Sequence, residues 1–539
     1  MKKRIDYRFW IPTAIALVGG VFIGYFSLGV PFSSTQSDKK LNTVMNLISQ
    51  EYIDDSINTQ SAIELTIPSI LSHLDPYCSY LSAKENAAEQ NMFKGQTSGY
   101  GISAQFINDT IMIMEVMPSG PSDKAGLKVG DKIVTIDDST WTGPNVDDDK
   151  VNERLISVKG SKMKLGIIRA GADKILSFVI TYCDVPLNSV ECHYLLDKST
   201  GYIKITQFGD KTHKEMINAL NSLKNQGAKR FIIDLRGNGG GKVAAAIAIA
   251  NEFLPDRALI VSTKARSRKY EFSNYSDGQG QFQNQEIVIL IDEYTASASE
   301  IFAGAIQDND RGLIVGCRSF GKGLVQGQRD LHDKSAIWLT IAKYYTPSGR
   351  CLQKPYGIVE SANLNDILDR HSNGELYNKD NIKIDKSKIF ETTTGRKVYG
   401  GGGIIPDIFV PRDTAQESIY YKAVLGLGII QEYALKYATE HHAELKNMTD
   451  YKQLLRNLPA NEALLTDFVT FAADKGVPAR WHYIRQSQDL ITTLIKGFIA
   501  QDIFGHRAFY PIINRNDKTF EAALKALNKH KAAFPITNY

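Results

Sequence analysis

The stretch EIVILIDEYTASASEIFAGAIQD, residues 286–308, carries an apolar run into a helical pattern through a turn of small residues. The run predicts a buried strand at Glu286–Ile291, and the pattern predicts a helix at Glu300–Gln307. Strands and helices alternate in the same way upstream, which predicts a layered α/β domain. The upstream elements are strands at Tyr202–Phe208 and Phe231–Leu235 and helices at His213–Leu223 and Val243–Phe253.

Ser297 stands among small residues at the turn between this strand and this helix, so a substrate backbone can approach it. A helix N-terminus presents free N–H groups and a positive partial charge, and both favour an alkoxide or a tetrahedral oxyanion. Taken alone, however, Ser297 or Ser299 is more often an N-cap than a nucleophile. A catalytic interpretation therefore needs a second group.

Lys322 is a candidate for that group, within Gly316-Cys-Arg-Ser-Phe-Gly-Lys-Gly-Leu-Val-Gln326. A lysine between two glycines can reach into a site without neighbouring bulk. To act as a general base its amine must be neutral, and lowering the ordinary lysine pKa of ~10.4 by about three costs ~4 kcal/mol. Burial can supply this change, and Leu324 and Val325 stand where an apolar pocket needs them. A neutral Lys322 would take the proton of Ser297.

Alternative interpretations of these glycine-rich motifs fit less well. Residues 316–322 match a phosphate-binding loop through the lysine, but Gly323 stands where Ser or Thr would bind Mg²⁺. Asp234-Leu-Arg-Gly-Asn-Gly-Gly-Gly241 can turn N–H groups toward an oxyanion or a phosphate, and its spacing does not fit GxGxxG. No G-x-S-x-G elbow surrounds Ser297, so a Ser–His–Asp hydrolase is not indicated despite the ten histidines.

Residues 94–190 contain two glycine motifs that together resemble the PDZ family. Ser98-Gly-Tyr-Gly-Ile-Ser leads into a strand, and residues 121–133 carry the pattern Pro-x-x-x-Ala-Gly-Leu-x-x-Gly-Asp-x-Ile. The alternative is a generic β-barrel with glycine turns. The resemblance implies a loop whose N–H groups bind a C-terminal carboxylate while the peptide adds as a strand, with Tyr100 and Ile102 walling the side-chain pocket. The implied peptide-binding residues are Ser98, Gly99, Tyr100, Gly101 and Ile102.

The motifs as a set resemble the C-terminal processing, or tail-specific, proteases over roughly residues 65–412. This resemblance implies a crotonase-like α/β fold, with Ser297 as nucleophile, Lys322 as base and Gln326 orienting the lysine. It also implies an oxyanion hole formed by the N–H groups of Ala298 and Gly240. The matching stretches are Gly201-Tyr-Ile-Lys-Ile-Thr-Gln-Phe208, Asp234–Gly241, Ser297-Ala-Ser-Glu300, Phe320-Gly-Lys-Gly-x-x-Gln326, Tyr345-Thr-Pro-Ser-Gly-Arg350 and Gly403-Ile-Ile-Pro-Asp407.

The N-terminus predicts export. Four basic residues within the first eight precede an apolar run from Phe9 to Pro31. A basic flank before about twenty apolar residues is typical of a signal anchor or a signal peptide, and the length of the run and the lack of a clear A-x-A site favour the anchor. Because positive residues stay cytoplasmic, the rest of the chain is expected in the periplasm or on the extracytoplasmic face of the inner membrane.

The composition argues against several other classes of protein. The 539 residues are 43% hydrophobic and 23% charged, which is typical of globular domains. The net charge of +4, spread over this length, argues against a nucleic-acid partner. Five cysteines without a CxxC pair argue against a disulfide framework and a zinc site, although a Cys183–Cys192 bridge stays open. No metal and no cofactor are expected.

The predicted fold class is multidomain α/β, with a β-rich PDZ domain, a crotonase-like protease domain and helical N- and C-terminal regions. The helical C-terminal region carries no motif, so docking an adaptor, building a homodimer and capping the active site stay open as its roles. The predicted order is an N-terminal signal segment (1–34), a helical region (35–93), the PDZ domain (94–190), the protease domain (191–412, with an insertion at 357–400 that covers or extends the cleft) and the C-terminal region (413–539).

The sequence therefore predicts a serine endopeptidase with a Ser–Lys dyad. It would bind polypeptides with free C-termini through its PDZ domain and cleave the tails of exported proteins. The alternative is a catalytically inactive PDZ scaffold that only recruits peptides, and the intact Ser297, Lys322 and Gln326 weigh against it.

Overall fold

The computed structural model describes residues 36–53, 59–107, 109–143, 146–169, 171–356 and 361–530. The predicted signal segment lies outside the described residues. No helix within the described ranges is long and apolar enough to cross a membrane. The chain divides into two compact units between Ile70 and Leu71. The first unit contains helix α1 (Gln36–Glu51) and most of α2 (Thr59–Ser72).

A short strand interrupts the helical pattern ahead of residue 93. This strand, β1 (Ser79–Leu81), pairs antiparallel with residues 336–338, and helix α3 (Ala83–Phe93) follows it. Helix α3 begins at a capping box, in which the Ser82 Oγ accepts the Glu85 N–H and the Glu85 carboxylate accepts the Ser82 N–H. The segment before the PDZ domain is thereby joined to a sheet of the α/β domain.

Residues 96–186 form a small, mainly antiparallel domain. Its elements are β2 (Gln96–Gly99), β3 (Ile102–Ile107), β4 (Thr110–Val116), α4 (Pro121–Ala125), β5 (Lys132–Ile136), β6 (Ser139–Thr140), α5 (Asp148–Leu155), β7 (Lys162–Ile168), β8 (Leu176–Thr181) and β9 (Cys183–Pro186). The main sheet has the order β3-β4-β5-β7-β8, so β3 is an edge strand. Helix α4 starts at Pro121 and ends before Gly126, whose φ of +88° suits only glycine well.

The α/β domain is built on two sheets. Its elements up to the insertion are β10 (Val190–Leu195), β11 (Thr200–Ile205), α6 (Thr212–Asn225), β12 (Arg230–Asp234), α7 (Val243–Asn251), β13 (Leu259–Ala265), β14 (Ser273–Tyr275), β15 (Glu286–Ile291), α8 (Ala298–Asp308), β16 (Leu313–Gly316), β17 (Leu324–Asp330) and β18 (Ala336–Tyr345). Strands β11, β12, β15 and β16 pair in parallel. They are buried almost throughout, because parallel sheets are covered on both faces. In the second sheet, β18 pairs with β1, β13 and β17.

The described part of the region predicted as an insertion contains an α-helix, a short 3-10 helix (Lys379–Asn381) and a small hairpin. Its elements are α9 (Ser361–Ser372), β19 (Ile389–Glu391) and β20 (Lys397–Tyr399). After it, β21 (Ile408–Phe409) returns to the edge of the parallel sheet beside β16. The insertion packs behind the loop that precedes Lys322, where Arg318 and Glu375 form a buried ion pair.

The C-terminal region is helical, as predicted. Its helices are α10 (Ile419–Gly426), α11 (Ile429–Glu440), α12 (His442–Leu445), α13 (Tyr451–Asn457), α14 (Asn461–Asp474), α15 (Trp481–Phe504), α16 (His506–Ile513) and α17 (Lys518–His530). Helices α10 to α16 share a core of their own. Helix α17 instead packs Phe520, Ala523 and Leu527 against the parallel sheet, on the face opposite α7 and α8.

Candidate active site

Ser297 occupies a strained position between β15 and α8. Its φ of +56° and ψ of −116° lie in a region that residues other than glycine rarely adopt. Such strain costs ~1–3 kcal/mol and persists where the surroundings enforce it, often at active sites. As the residue before Ala298, Ser297 sits at the positive end of the α8 dipole. The predicted nucleophile therefore lies where it was predicted, at the turn between a strand and a helix. Its backbone conformation was not predicted by any sequence pattern.

Lys322 lies in the loop between β16 and β17, and it lines the same cleft of about 900 Å³ as Ser297. Its amine lies 4.9 Å from the centre of the Tyr77 ring. Burial lowers the pKa of Lys322, and the negative charges of Asp75, Glu300 and Glu89 oppose that change. No hydrogen bond of this amine occurs among the described residues. Burial is the cause that the general-base hypothesis requires.

Glu300 links the two predicted catalytic residues. Its Oε2 accepts the N–H of Ser297 at 2.9 Å and the N–H of Lys322 at 2.8 Å. Its Oε1 accepts the N–H of Gly321 at 2.7 Å and the hydroxyl of Ser319. The residue is fully buried, and burial raises the pKa of its carboxyl. Sequence reasoning missed this role, although the Ser-x-x-Glu spacing of a capping box marks the position.

The glycine loop approaches Ser297 closely. A Cβ on Gly240, whose φ is +102°, would lie 2.8 Å from the Cβ of Ser297 and 2.9 Å from the nitrogen of Ala298. Only glycine fits there. Of the two predicted oxyanion donors, the N–H of Ala298 has no acceptor among the described residues. The N–H of Gly240 donates to the Oδ1 of Asn238 at 2.8 Å, so in this conformation it does not face an oxyanion.

Gln326 lines the cleft, but it does not bond to Lys322 in this structure. Its amide donates to the Oγ1 of Thr340 at 3.0 Å. The backbone N–H of Thr340 in turn donates to the Sγ of Cys78 at 3.4 Å. The Cys78 thiol donates to Asp75, one of the charges that acts on Lys322. The orienting role predicted for Gln326 is therefore absent as a direct contact, and the chain before the PDZ domain supplies neighbours that no motif indicated.

A buried charge cluster fixes the strand end that precedes the glycine loop. Asp234 is 1% exposed and accepts hydrogen bonds from the Tyr202 hydroxyl at 2.8 Å and the Arg236 guanidinium at 2.7 Å. Burial alone would raise the pKa of Asp234, but Arg236 and Lys204 hold it below its usual range. The Arg236 guanidinium also pairs with Asp517, just ahead of α17. The C-terminal region thus contacts the base of the glycine loop.

The residues predicted to bind a peptide in the PDZ domain differ in burial: some are partly exposed and others lie in the domain core. Ser98 lies in β2, and its hydroxyl contacts Asp184 at 3.5 Å. Gly101, with φ of +77°, makes the turn into β3, whose first residue is the half-buried Ile102. Tyr100 is 3% exposed and packs edge-on against Tyr182. The Tyr100 ring thus lies mainly in the domain core, and its role as a wall of a peptide pocket stays a prediction.

None of the five cysteines forms a disulfide bond in the structure. Cys78, Cys183, Cys192, Cys317 and Cys351 are all free thiols in the structure. The Cys183–Cys192 bridge left open by the sequence does not form, and burial raises the pKa of the Cys192 thiol to about 12.

Known proteins match the separate domains and also longer stretches of the chain, up to 77% of its length. Residues 199–362 match peptidase family S41, residues 98–179 match the PDZ domain, and residues 420–505 match a family of unknown function (DUF8443). The carboxyl-terminal-processing protease of Synechocystis sp. is 31% identical, over 64% of this chain and 85% of that protein. The carboxy-terminal-processing protease of Bartonella bacilliformis is 30% identical, over 77% and 96%. That of Picosynechococcus sp. is 32% identical, over 56% and 73%.

The fold and these matches define a serine-type peptidase that carries a PDZ domain. The chain belongs to the family of carboxyl-terminal-processing proteases. The resemblance first inferred from the motifs is therefore confirmed at the level of the family.

Proposed function

We propose that this chain is an endopeptidase in which Ser297 is the nucleophile and Lys322 the general base, and that it cleaves polypeptides recognised by their free C-terminal tails. One observation carries the proposal: a single buried carboxylate, that of Glu300, accepts the backbone N–H groups of both residues. Two residues 25 positions apart are thereby held beside one cleft.

The chemistry follows from the environment of each group. The neutral amine of Lys322 accepts the Ser297 hydroxyl proton as the oxygen attacks the scissile carbonyl. The N–H of Ala298 and the helix dipole stabilise the tetrahedral oxyanion. The ammonium of Lys322 then gives its proton to the leaving amine, and water hydrolyses the acyl-enzyme with Lys322 again as base.

Tail recognition is supported by the edge of the PDZ sheet. Strand β3 pairs only with β4 among the described strands, so its outer edge can accept an added strand. Helix α5 packs beside β3, so a peptide strand added at the edge of β3 would lie near this helix. The Gly99–Gly101 turn comes directly before β3, and its N–H groups would bind the terminal carboxylate of that peptide.

The first test is cleavage of an unfolded polypeptide. We expect Ser297→Ala and Lys322→Ala each to abolish turnover while the melting temperature stays close to that of the wild type. Activity retained in Lys322→Ala would refute the Ser–Lys mechanism. An inactive PDZ scaffold is the second candidate, and measurable turnover by the wild type that Ser297→Ala lacks would exclude it.

A matched pair of substrates tests the tail. Two peptides of one sequence, one with a free C-terminal carboxylate and one amidated, differ only in the group that the Ser98–Ile102 loop would bind. We expect the amidated peptide to be cleaved more slowly, mainly through a higher KM. Equal kcat/KM values would refute tail recognition and leave the dyad untouched.

Location and assembly are part of the proposal. We place the enzyme on the extracytoplasmic face of the inner membrane, anchored by the Phe9–Pro31 run, with docking of a second copy or an adaptor on the helical C-terminal region. An alkaline phosphatase fusion after residue 40 should be active outside the cytoplasm, and light scattering of the purified chain should report the copy number. An inactive fusion would refute the location, and a monomer would restrict the partner to an adaptor.

A further inference from the structure

The loop that carries Lys322 is held from two sides by buried, ionisable side chains. On one side, the carboxylate of Glu300 accepts the N–H groups of Gly321 and Lys322. On the other side, the guanidinium of Arg370 donates to the carbonyls of residues 318, 319 and 320, at 3.3, 2.9 and 3.1 Å. One carboxylate and one guanidinium thus bind the peptide groups just before the lysine.

Arg370 belongs to helix α9 of the insertion and is itself fixed. Its side chain is 2% exposed, and its Nε lies 3.0 Å from Asp366 and 3.9 Å from Glu375. Glu375 also binds Arg318 through two hydrogen bonds of 2.6 and 2.7 Å. A buried guanidinium is stable only when charged partners and acceptors surround it. The carbonyls of the lysine loop are three of the acceptors that this guanidinium has.

We infer that Arg370 is a positioning residue for the general base, so that the insertion sets the geometry of the dyad instead of covering the cleft. No described residue of 361–400 lines the cleft that contains Ser297 and Lys322. Arg370 therefore acts through the loop and not on the substrate. This inference rests on the proposed role of Lys322 as the base.

The expected effect follows from the backbone that Arg370 holds. Arg370→Gln removes the charge and most of the donors, and the carbonyls of residues 318–320 lose their anchor. A misplacement of about 1 Å in a catalytic group costs about 10²-fold in rate. We expect kcat on a short peptide to fall about 10- to 100-fold, with KM unchanged because the cleft wall is intact.

Arg396→Gln is the matched control. Arg396 lies in the same insertion, pairs with Asp310 and Asp407 and donates to the carbonyl of Gln307 at 3.0 Å, at the far end of α8. It should lose a similar amount of stability without a similar loss of kcat. Arg370→Lys should recover part of kcat, and guanidinium at a non-denaturing concentration should stimulate Arg370→Gly but not Arg396→Gly.

The outcomes separate this inference from the proposed function. An active Lys322→Ala variant would overturn the Ser–Lys proposal itself. If Lys322→Ala is inactive but Arg370→Gln keeps its kcat, the dyad stands and the positioning role is refuted. A loss of kcat that is equal in Arg370→Gln and Arg396→Gln, or one without guanidinium rescue, also refutes it. Should Arg370→Gln not fold, Asp366→Asn, at a side chain 29% exposed, should lower kcat several-fold, and an unchanged kcat would overturn the inference.

Discussion

Replacing Glu300 with glutamine removes the carboxylate on which both halves of the dyad depend. Each oxygen accepts two donors, Oε2 from Ser297 and Lys322 and Oε1 from Ser319 and Gly321. The amide NH₂ of glutamine cannot accept a hydrogen bond, so it leaves two buried donors unmatched whichever oxygen it replaces. At ~1.5–3 kcal/mol for each hydrogen bond to a charged group, the local loss is about 3–6 kcal/mol.

Two separate changes in the kinetics should follow. First, the plateau value of kcat should fall by about 10²-fold or more, because the backbones of Ser297 and Lys322 are no longer held together. Second, the acid limb of the pH profile of kcat/KM should move to lower pH. The charge of Glu300 raises the pKa of Lys322 against the lowering caused by burial, and removing that charge lowers the pKa further.

The assay is cleavage of a fluorogenic peptide across a pH series, with thermal unfolding of the same preparations. Glu252→Gln is the control, because Glu252 is also buried, accepts the N–H of Gln281 at 3.0 Å and lies away from the cleft lining. It should lower the melting temperature and keep kcat. A folded Glu300→Gln variant with at least half of the wild-type kcat would refute the claim that Glu300 organises the dyad.

Other predictions concern the base, the buried charges and the last helix. Wild-type kcat/KM should rise with pH to a plateau above the lowered pKa of Lys322, and Lys322→Arg should be inactive at every pH tested, because a guanidinium stays protonated. Asp234→Asn should lower the free energy of unfolding by ~3–5 kcal/mol, because it leaves the cations of Arg236 and Lys204 without their buried anion. The pKa of Asp234 lies below its usual range in the folded chain. The stability that its charge contributes is therefore complete above the unfolded-state pKa of ~3.9 and is lost as the pH falls further. Urea unfolding should show a smaller difference between variant and wild type at pH 3 than at pH 7. Phe520→Ala should lower the free energy of unfolding of the α/β domain by ~3–5 kcal/mol, and an unchanged melting temperature would show that α17 does not stabilise the sheet.

The sequence predicted those features that local patterns encode. The run at residues 286–291 forms β15, and the following turn puts Ser297 ahead of α8, because an apolar run, small residues and a helical pattern leave one simple arrangement. The glycines around Lys322 and at residues 237–241 marked loops that approach other groups closely. The resemblance of the whole motif set to a known protease family then joined these local features into one site. The individual motifs and the composition could not do this alone.

Contacts between distant parts of the chain were not predicted from the sequence. Asp75 and Tyr77 lie near Lys322 in the segment that leads into β1, which pairs with residues 336–338. A strand of three residues is too short to show a recognisable pattern in the sequence. Arg370 lies in the stretch predicted as an insertion that covers or extends the cleft, yet its guanidinium is buried against the carbonyls of the lysine loop. The direction of a backbone N–H, as at Gly240, and the core position of the Tyr100 ring depend on tertiary packing that sequence alone does not specify.

The parallel sheet explains why the C-terminal region is needed by the domain before it. A parallel sheet must be covered on both faces, and helices α6, α7 and α8 cover one of them. Among the described residues up to 412, no helix packs on the other face, which α17 covers with Phe520 and its neighbours. Asp517, which accepts the N–H groups at the start of α17, also pairs with Arg236 at the base of the glycine loop. A chain cut at residue 413 would therefore expose this face of the sheet and remove the ion pair between Asp517 and Arg236 at the base of the glycine loop, so we expect the last helix to stabilise the peptidase domain.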